Sequence, residues 1–355
     1  MSKVFTPLSI GDYELSHRIV MAPLTRYRAP NGIPGELMEE YYKQRSSSGS
    51  LIIAESTAIS PTSGNPLNTP RVDTPESIEG WKKVVEAVHS EGGIFFCQLN
   101  HYGRGAVPSE NGNVLPISSS SIAIKGEKFY KPKEMDESDM KQVIEDFTNA
   151  AEAAIKAGFD GVELHGANGY LLDQFVRDNV NVRTDQYGGS IENRCKFPLQ
   201  VLDSVIARIG KGKVGYRISP WDPYQDCKDS KPLEHFAYFC EQLEKRNIAY
   251  VHSVEERSDA NGGRENDSTS SDRVTVSALK KYLPSTPLIS AGGWNDRNLS
   301  TFDDFELDAI AIGRFYISNP DLIKRLRDKL PLSAYNRATF YQPLEPKGYI
   351  DYPVI

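Results

Sequence analysis

The stretch GVELHGANGYLLDQF, residues 161–175, begins as an apolar strand and ends as an apolar helix, yet His165, Asn168 and Tyr170 interrupt it. These are a proton carrier, an amide and a phenol. An imidazole and a carboxamide can both donate hydrogen bonds, and a phenol with its usual pKa of about 10 stays protonated near neutrality, as a general acid must. In isolation the segment reads equally well as a satisfied core histidine, an Asn-Gly turn and a packing aromatic. The elements that carry these residues have to decide.

Short runs rich in Val, Ile and Leu recur along the chain: RIVMAPL (18–24), SLIIAEST (50–57), IFFCQLN (94–100), GVELHGA (161–167), VGYRISP (214–220), AYVHSVE (249–255), PLISAGG (287–293) and AIAIGRF (309–315). Helical patterns lie between them, among them SIEGWKKVVEAVHSEGG, MKQVIEDFTNAAEAAIKAG, LEHFAYFCEQLEKRN and VTVSALKKYLP. Continuous apolar strands alternating with helices imply a parallel sheet covered on both faces. Eight such units point to an α/β fold, a single (β/α)8 TIM barrel spanning residues 1–355. A doubly wound open sheet needs fewer strands, and no GxGxxG follows the first strand. In a barrel the strand C-termini converge on one face, and here nearly every strand ends in something chemically capable: Thr25 and Arg26, Gln98, His165, Arg217, His252, Gly292–Gly293 and Gly313–Arg314. Single polar residues at strand ends are common; the set together looks like a site.

The glycines after strands seven and eight sit where barrels often bind phosphate, since glycine lets an anion approach backbone N–H groups. Arg314 adds a guanidinium suited to phosphate oxygens. Gln98 and Arg217, inside strands three and five, need buried partners. A planar heterocycle would supply them, and for Arg217 so would a barrel carboxylate such as Glu55 or Glu163. Both readings stand at this level.

Bulk properties bound the rest. Hydrophobic residues make up 39% of the 355 residues and charged residues 25%, which suits a globular chain with a large core. The net charge of −7 argues against a nucleic-acid partner. No apolar run reaches the length of a membrane span, and the N-terminus lacks a secretory h-region, so a cytoplasmic location is expected. Cys97, Cys195, Cys227 and Cys240 are scattered, with no metal-like spacing, and read as reduced packing residues; no metal is expected.

The segments VFTPLSIGDYELSHRIVMAPLTRYRA, GFDGVELHGANGYLLDQFVRDNVNVRTDQYGGSIENR and AIAIGRFYISNPDLIKRLRD together resemble the old yellow enzyme family of FMN-dependent ene-reductases, closest to its yeast and fungal members. The resemblance runs nearly end to end. It implies tightly but non-covalently bound FMN, with Pro23, Leu24 and Thr25 along the flavin ring, Ser56, Gln98 and Arg217 at its polar edge, and Gly292, Gly293, Gly313 and Arg314 on its phosphate. His165 and Asn168 would hold a substrate carbonyl, Tyr170 would donate a proton, and Phe340 and Tyr341 would border the substrate cavity. The implied reaction is reduction of an activated C=C bond in enones or enals, with hydride from flavin N5 and NADPH (NADH remaining open) as reductant in the same cavity. Two donors on the carbonyl oxygen would stabilise its developing charge, each worth about 3 kcal/mol in oxyanion-type sites. The expected state is a monomer or homodimer.

Asn100 stands where many relatives carry tryptophan, and is expected to open that side of the substrate site. Residues 103–135 read as a long excursion or lid after strand three, and residues 256–273 as a mobile loop after strand six. These departures keep a secondary-metabolite aldehyde reductase or isomerase on the same scaffold in view. Two rivals use the same features differently: a flavin-free barrel lyase or isomerase acting on a phosphorylated sugar, and a non-catalytic flavoprotein.

Overall fold

The computed structural model describes residues 2–256 and 276–355. Eight parallel strands close into a ring: β1 (Ile19–Met21), β2 (Leu51–Ile53), β3 (Ile94–Asn100), β4 (Gly161–His165), β5 (Val214–Ile218), β6 (Tyr250–Val254), β7 (Leu288–Ala291) and β8 (Ala309–Ile312). Each pairs with the next, and β8 returns to β1 through Ile310↔Ile19, Ala311↔Val20 and Ile312↔Met21. The expected (β/α)8 barrel is the observed fold. The ladders are shorter than the apolar runs suggest. Ala22–Thr25, Gly292–Gly293 and Gly313–Arg314 lie beyond them and become the rim of the cavity described below.

Side-chain alternation along each strand sorts the core into two clusters. Val20, Leu51, Ile53, Phe96, Tyr250, Ile289 and Ala309 fill the barrel interior. Their neighbours Ile19, Ile52, Phe95, Val162, Leu164, Val251 and Ile310 face outward into a larger cluster shared with the helices. Among those helices are α1 (Glu36–Gln44), α2 (Pro75–Ser90) and α3 (Glu137–Lys156). Thr74 and Asp136 start α2 and α3 with capping boxes, satisfying amide groups that the first turn leaves open. Of the helical pattern at 274–284, the described part holds a 3-10 helix, Val276–Tyr282.

An antiparallel hairpin that the sequence reading did not foresee, Leu8–Ile10 with Tyr13–Leu15, closes the N-terminal end of the barrel. Ile10 and Leu15 join the interior cluster, and Tyr13 Oη donates to Asp160 O at 2.8 Å, just before β4. Gly11 turns the hairpin at φ +55°; a Cβ there would lie 1.9 Å from Gly212 O, so only glycine fits.

Residues 103–135, expected to form a lid, contribute no lining side chain to the cavity. They are fastened beside it instead: Arg104 Nη2 donates to Gln225 O at 2.8 Å and Ser118 Oγ donates to Gln174 Oε1 at 2.8 Å. The loop expected at 256–273 lies, apart from Glu256, outside the described residues. No helix among the described residues is long and apolar enough to cross a membrane.

Candidate active site

At the C-terminal ends of the strands the chain encloses a cavity of about 530 Å³. Its β7–β8 side is built for close approach. Gly292 and Gly293 adopt φ of +119° and +105°, conformations that L side chains rarely take. A Cβ on Gly313 would press against Leu24 Cδ2 at 3.0 Å. Asn295 and Asn298 donate their side-chain amides to Gly293 O at 2.8 and 3.1 Å, fixing this turn. Arg314 lines the same side, its Nη1 donating to Tyr335 Oη at 3.2 Å. The inward residues beneath, Ala22, Ala291 and Ala311, are small and leave space above them.

The opposite wall is polar. Parallel register sets Arg217 directly beside His165 on one neighbour and His252 on the other. One level lower, Gln98 Nε2 donates to Glu163 Oε1 at 2.7 Å, while Glu163 Oε2 meets His252 Nδ1 at 2.8 Å. Burial works to raise the Glu163 carboxyl, but His252, Arg217 and Gln98 outweigh it, and the group sits below the usual carboxylate range. Both sequence readings of Arg217 therefore have a counterpart: it lines the cavity, and its charge acts on Glu163.

His165, Asn168 and Tyr170 all face this one cavity. Asn168 and Gly169 take φ of +56° and +72° in succession, and Tyr170 N donates to Ala167 O at 3.3 Å, the hallmark of a primed turn that Asn-Gly favours. Side chains from the following helix α4 (Leu171–Val176) and from beyond β5 hold the turn. Asn168 N donates to Ser219 Oγ at 2.7 Å, and Gly169 N donates to Asp173 Oδ2 at 2.9 Å. Asp173 is itself paired with Arg177 at 2.8 Å, and both are buried. Asn168 Oδ1 is buried without a partner among the described residues, so the fold leaves that carboxamide oxygen unpaired. The Tyr170 ring meets His165 edge-on, with centroids 4.9 Å apart.

Pro23, Leu24, Thr25, Ser56, Phe340 and Tyr341 also line the cavity. Asn100 does not, and the expectation that it opens the substrate side is corrected here. Its Nδ2 donates to Ser56 Oγ at 2.9 Å, which holds the side chain fully buried behind Ser56. Arg26, one of the strand-end residues, is also a structural clamp. Together with Arg28 it donates to Phe340 O at 3.0 and 2.9 Å, and Arg26 reaches Gly348 O at 2.8 Å, seating the C-terminal segment at the cavity.

Tyr27, Tyr102, Asp222, Tyr224, Trp294 and Arg337 line the site without having been singled out. Tyr27 and Tyr102 each follow a barrel strand closely, so the strand-end criterion that found Thr25 and His165 could have included them. Tyr27 holds φ +58°, a conformation rare for a bulky side chain, and such strain collects at functional sites. All four cysteines are buried thiols; burial pushes Cys97 and Cys227 up to about 12, which suits packing rather than nucleophilic roles. Away from the cavity, Asp178, Asp229 and His235 gather ligand-type atoms within 4.8 Å of one another, but Arg194 Nη2 lies 2.9 Å from His235 Nδ1 and already supplies positive charge there.

Comparison with known proteins agrees with this geometry. The chain matches the NADH:flavin oxidoreductase / NADH oxidase family over residues 3–333. It is 43% identical to chanoclavine-I aldehyde reductase fgaOx3 of Penicillium roqueforti, covering 99% of this chain and 96% of that one, and 42% identical to 12-oxophytodienoate reductase 1 of Oryza sativa subsp. japonica, covering 99% and 93%. Among solved structures, morphinone reductase superposes with a TM-score of 0.91 at 37% identity, covering 100% of this chain and 97% of the other. A second structure of that enzyme holds tetrahydroNAD. The old yellow enzyme homologue of Zymomonas mobilis superposes with a TM-score of 0.92 at 35% identity, with 100% of both chains covered. The chain belongs to this family, that of the old yellow enzymes, and is a flavin-dependent oxidoreductase.

Proposed function

We propose that the protein holds FMN non-covalently in this cavity and uses NADPH or NADH to reduce the activated C=C bond of α,β-unsaturated carbonyl compounds. The observation that carries this reading is the convergence of two unlike walls on one space. The glycine turns with Arg314 suit a phosphate, and Gln98 and Arg217 suit the polar edge of a flat heterocycle. On the same wall as Gln98 and Arg217, and opposite the glycine turns, His165, Asn168 and Tyr170 present two hydrogen-bond donors and an acid. FMN, when bound, supplies hydride to the substrate's β-carbon. His165 and Asn168 would hold the carbonyl oxygen and stabilise the charge that builds there. Tyr170 would pass its proton to the α-carbon. The relatives named for aldehyde and oxophytodienoate reduction support small conjugated carbonyl compounds as the substrate class.

A yellow preparation that releases FMN on denaturation, is bleached anaerobically by NADPH and regains colour with 2-cyclohexenone is the expected result. A colourless protein that refuses added FMN would overturn the reading in favour of a flavin-free barrel enzyme. Bleaching without recovery on any enone or enal would leave a flavoprotein of another kind.

A further inference from the structure

Beside Tyr170 stands a second phenol that its proposed role does not yet use. Tyr102 follows β3 by two residues and is almost fully buried, and its ring and that of Tyr170 lie 4.6 Å apart at 46°. Both rings line the cavity. The Tyr170 ring thus contacts both His165 and Tyr102.

The backbone fixes this pairing as firmly as it fixes the Asn168–Gly169 turn. Tyr102 N donates to Ser63 O at 2.7 Å. The two hydrogens of one carboxamide bridge the partners: Gln174 Nε2 donates to Tyr102 O at 3.2 Å and to Gly169 O, the carbonyl preceding Tyr170, at 2.7 Å. Gln174 is itself held by Arg104 N and Ser118 Oγ, which donate to its Oε1 at 3.1 and 2.8 Å. A buried amide with every group satisfied locks the loop after β3 to the turn after β4.

Resting on the function proposed above, we propose that Tyr102 is a positioning residue for proton delivery: its hydroxyl hydrogen-bonds that of Tyr170, aims it, and shares the negative charge Tyr170 acquires when its proton leaves. In that step the Tyr170 O–H bond breaks and a C–H bond forms at the α-carbon, whose electron pair comes from the reduced double bond. The phenolate left behind later recovers a proton from water. A neighbouring O–H gains strength as its acceptor becomes charged, so it favours the state after transfer over the state before. Burial first, and then the neighbouring phenols of Tyr170, Tyr27 and Tyr224, keep Tyr102 well above the usual phenol range, so it remains a donor throughout.

The test is a double-mutant cycle of Tyr102→Phe and Tyr170→Phe, read in flavin reoxidation by two acceptors: 2-cyclohexenone, which needs a proton on carbon, and ferricyanide, which does not. With Tyr102→Phe the ratio of the enone rate to the ferricyanide rate falls about tenfold, the scale of a hydrogen bond to a charged group, and the solvent deuterium isotope effect on the enone rate rises. In a Tyr170→Phe background, Tyr102→Phe changes the ratio no further. A ratio that stays put, or that falls independently of Tyr170, overturns the inference, as does Tyr102→Leu retaining the full ratio. If Tyr102→Phe alters both acceptor rates together, its role is packing and the inference falls. A Tyr170→Phe variant with an unaltered enone rate would bring down the proton-donor reading and this inference with it. A normal Tyr170 effect with an indifferent Tyr102 would bring down this inference alone.

Discussion

The two ends of the barrel follow the same inward–outward alternation and carry opposite contents. At the end closed by the hairpin, the inward positions of β2, β3, β6 and β7 include Leu51, Phe96, Tyr250 and Ile289. Two residues further along, the inward positions of β3, β5 and β6 are Gln98, Arg217 and His252, while β4 carries Glu163 and then His165. Those of β1 and β7 shrink from Val20 and Ile289 to Ala22 and Ala291, and β8 carries Ala309 and then Ala311. One end of the interior is packed apolar volume; the other is a polar wall facing an alanine floor. Buried polar groups cost stability unless partnered, so the apolar end must offset the polar one. The fold keeps that cost on the side where a ligand would share it.

This contrast predicts that the two ends fail differently. Tyr170→Phe leaves FMN bound and NADPH oxidation in place, but slows enone reduction roughly 10²–10⁴-fold, the usual contribution of a positioned general acid. Stopped-flow reoxidation with 2-cyclohexenone measures it, and an unaltered rate would remove Tyr170 from the chemistry. Phe96→Ala strikes the other end. It empties space beneath the site between Tyr13 and Tyr250, whose rings lie 6.0 and 5.7 Å away, and costs roughly 3–5 kcal/mol of stability. Urea unfolding should show that loss while the folded fraction still binds FMN; a loss under about 1 kcal/mol would mean the interior can collapse around the gap. Gly292→Ala sharpens the comparison within the site. Forcing an alanine toward φ +119° costs on the order of 1–3 kcal/mol. FMN binding, followed by fluorescence titration of apoprotein, should weaken by about 10-fold or more. Unchanged affinity would place the phosphate elsewhere.

The sequence showed the barrel because its strands are short apolar runs between amphipathic helices, and it showed His165, Asn168 and Tyr170 because they break such a run. The glycine pairs were legible for a similar reason, lying just where strands seven and eight must end. Other features were hidden by their physics. The hairpin strands at Leu8–Ile10 and Tyr13–Leu15 are three residues each, too short to display a period. Arg26 and Arg28 bind a segment more than 300 residues away, a separation that no local pattern encodes. Phe340 and Tyr341 entered through the family resemblance alone, in a segment with little regular structure. Asn100 was misread because its inward strand position says nothing of a neighbour: Ser56, on the loop after β2, captures its amide. Tyr102 was passed over because a tyrosine after a strand resembles any packing aromatic until its ring partner is known.

Glu55 offers the finest test of the contrast between the ends. The interior cluster at the hairpin end is apolar, and the buried imidazole next to that end, His17, is pushed down to about 4 by burial, the opposite direction to Glu55. Glu55 lies fully buried under the loop that carries Thr25, accepting from Arg26 N at 3.0 Å and from Tyr42 Oη at 3.4 Å. Burial pushes its carboxyl up to about 7, against the opposing pull of the Arg26 amide and the Arg26 and Arg28 charges. The folded state therefore binds this proton more tightly than the unfolded chain, whose carboxyl keeps its ordinary value near 4.5. The resulting contribution to stability is full below about pH 4.5 and is lost as pH rises through about 7. Glutamine can keep the contact to Arg26 N without titrating. The difference in melting temperature between Glu55→Gln and the parent should accordingly move in favour of the variant, by a few degrees, between pH 5 and about 8. Taking the difference cancels the other carboxyls, which titrate alike in both proteins. A difference that stays flat would mean Glu55 is ionised throughout, held by Arg26 and Arg28 more strongly than burial opposes it.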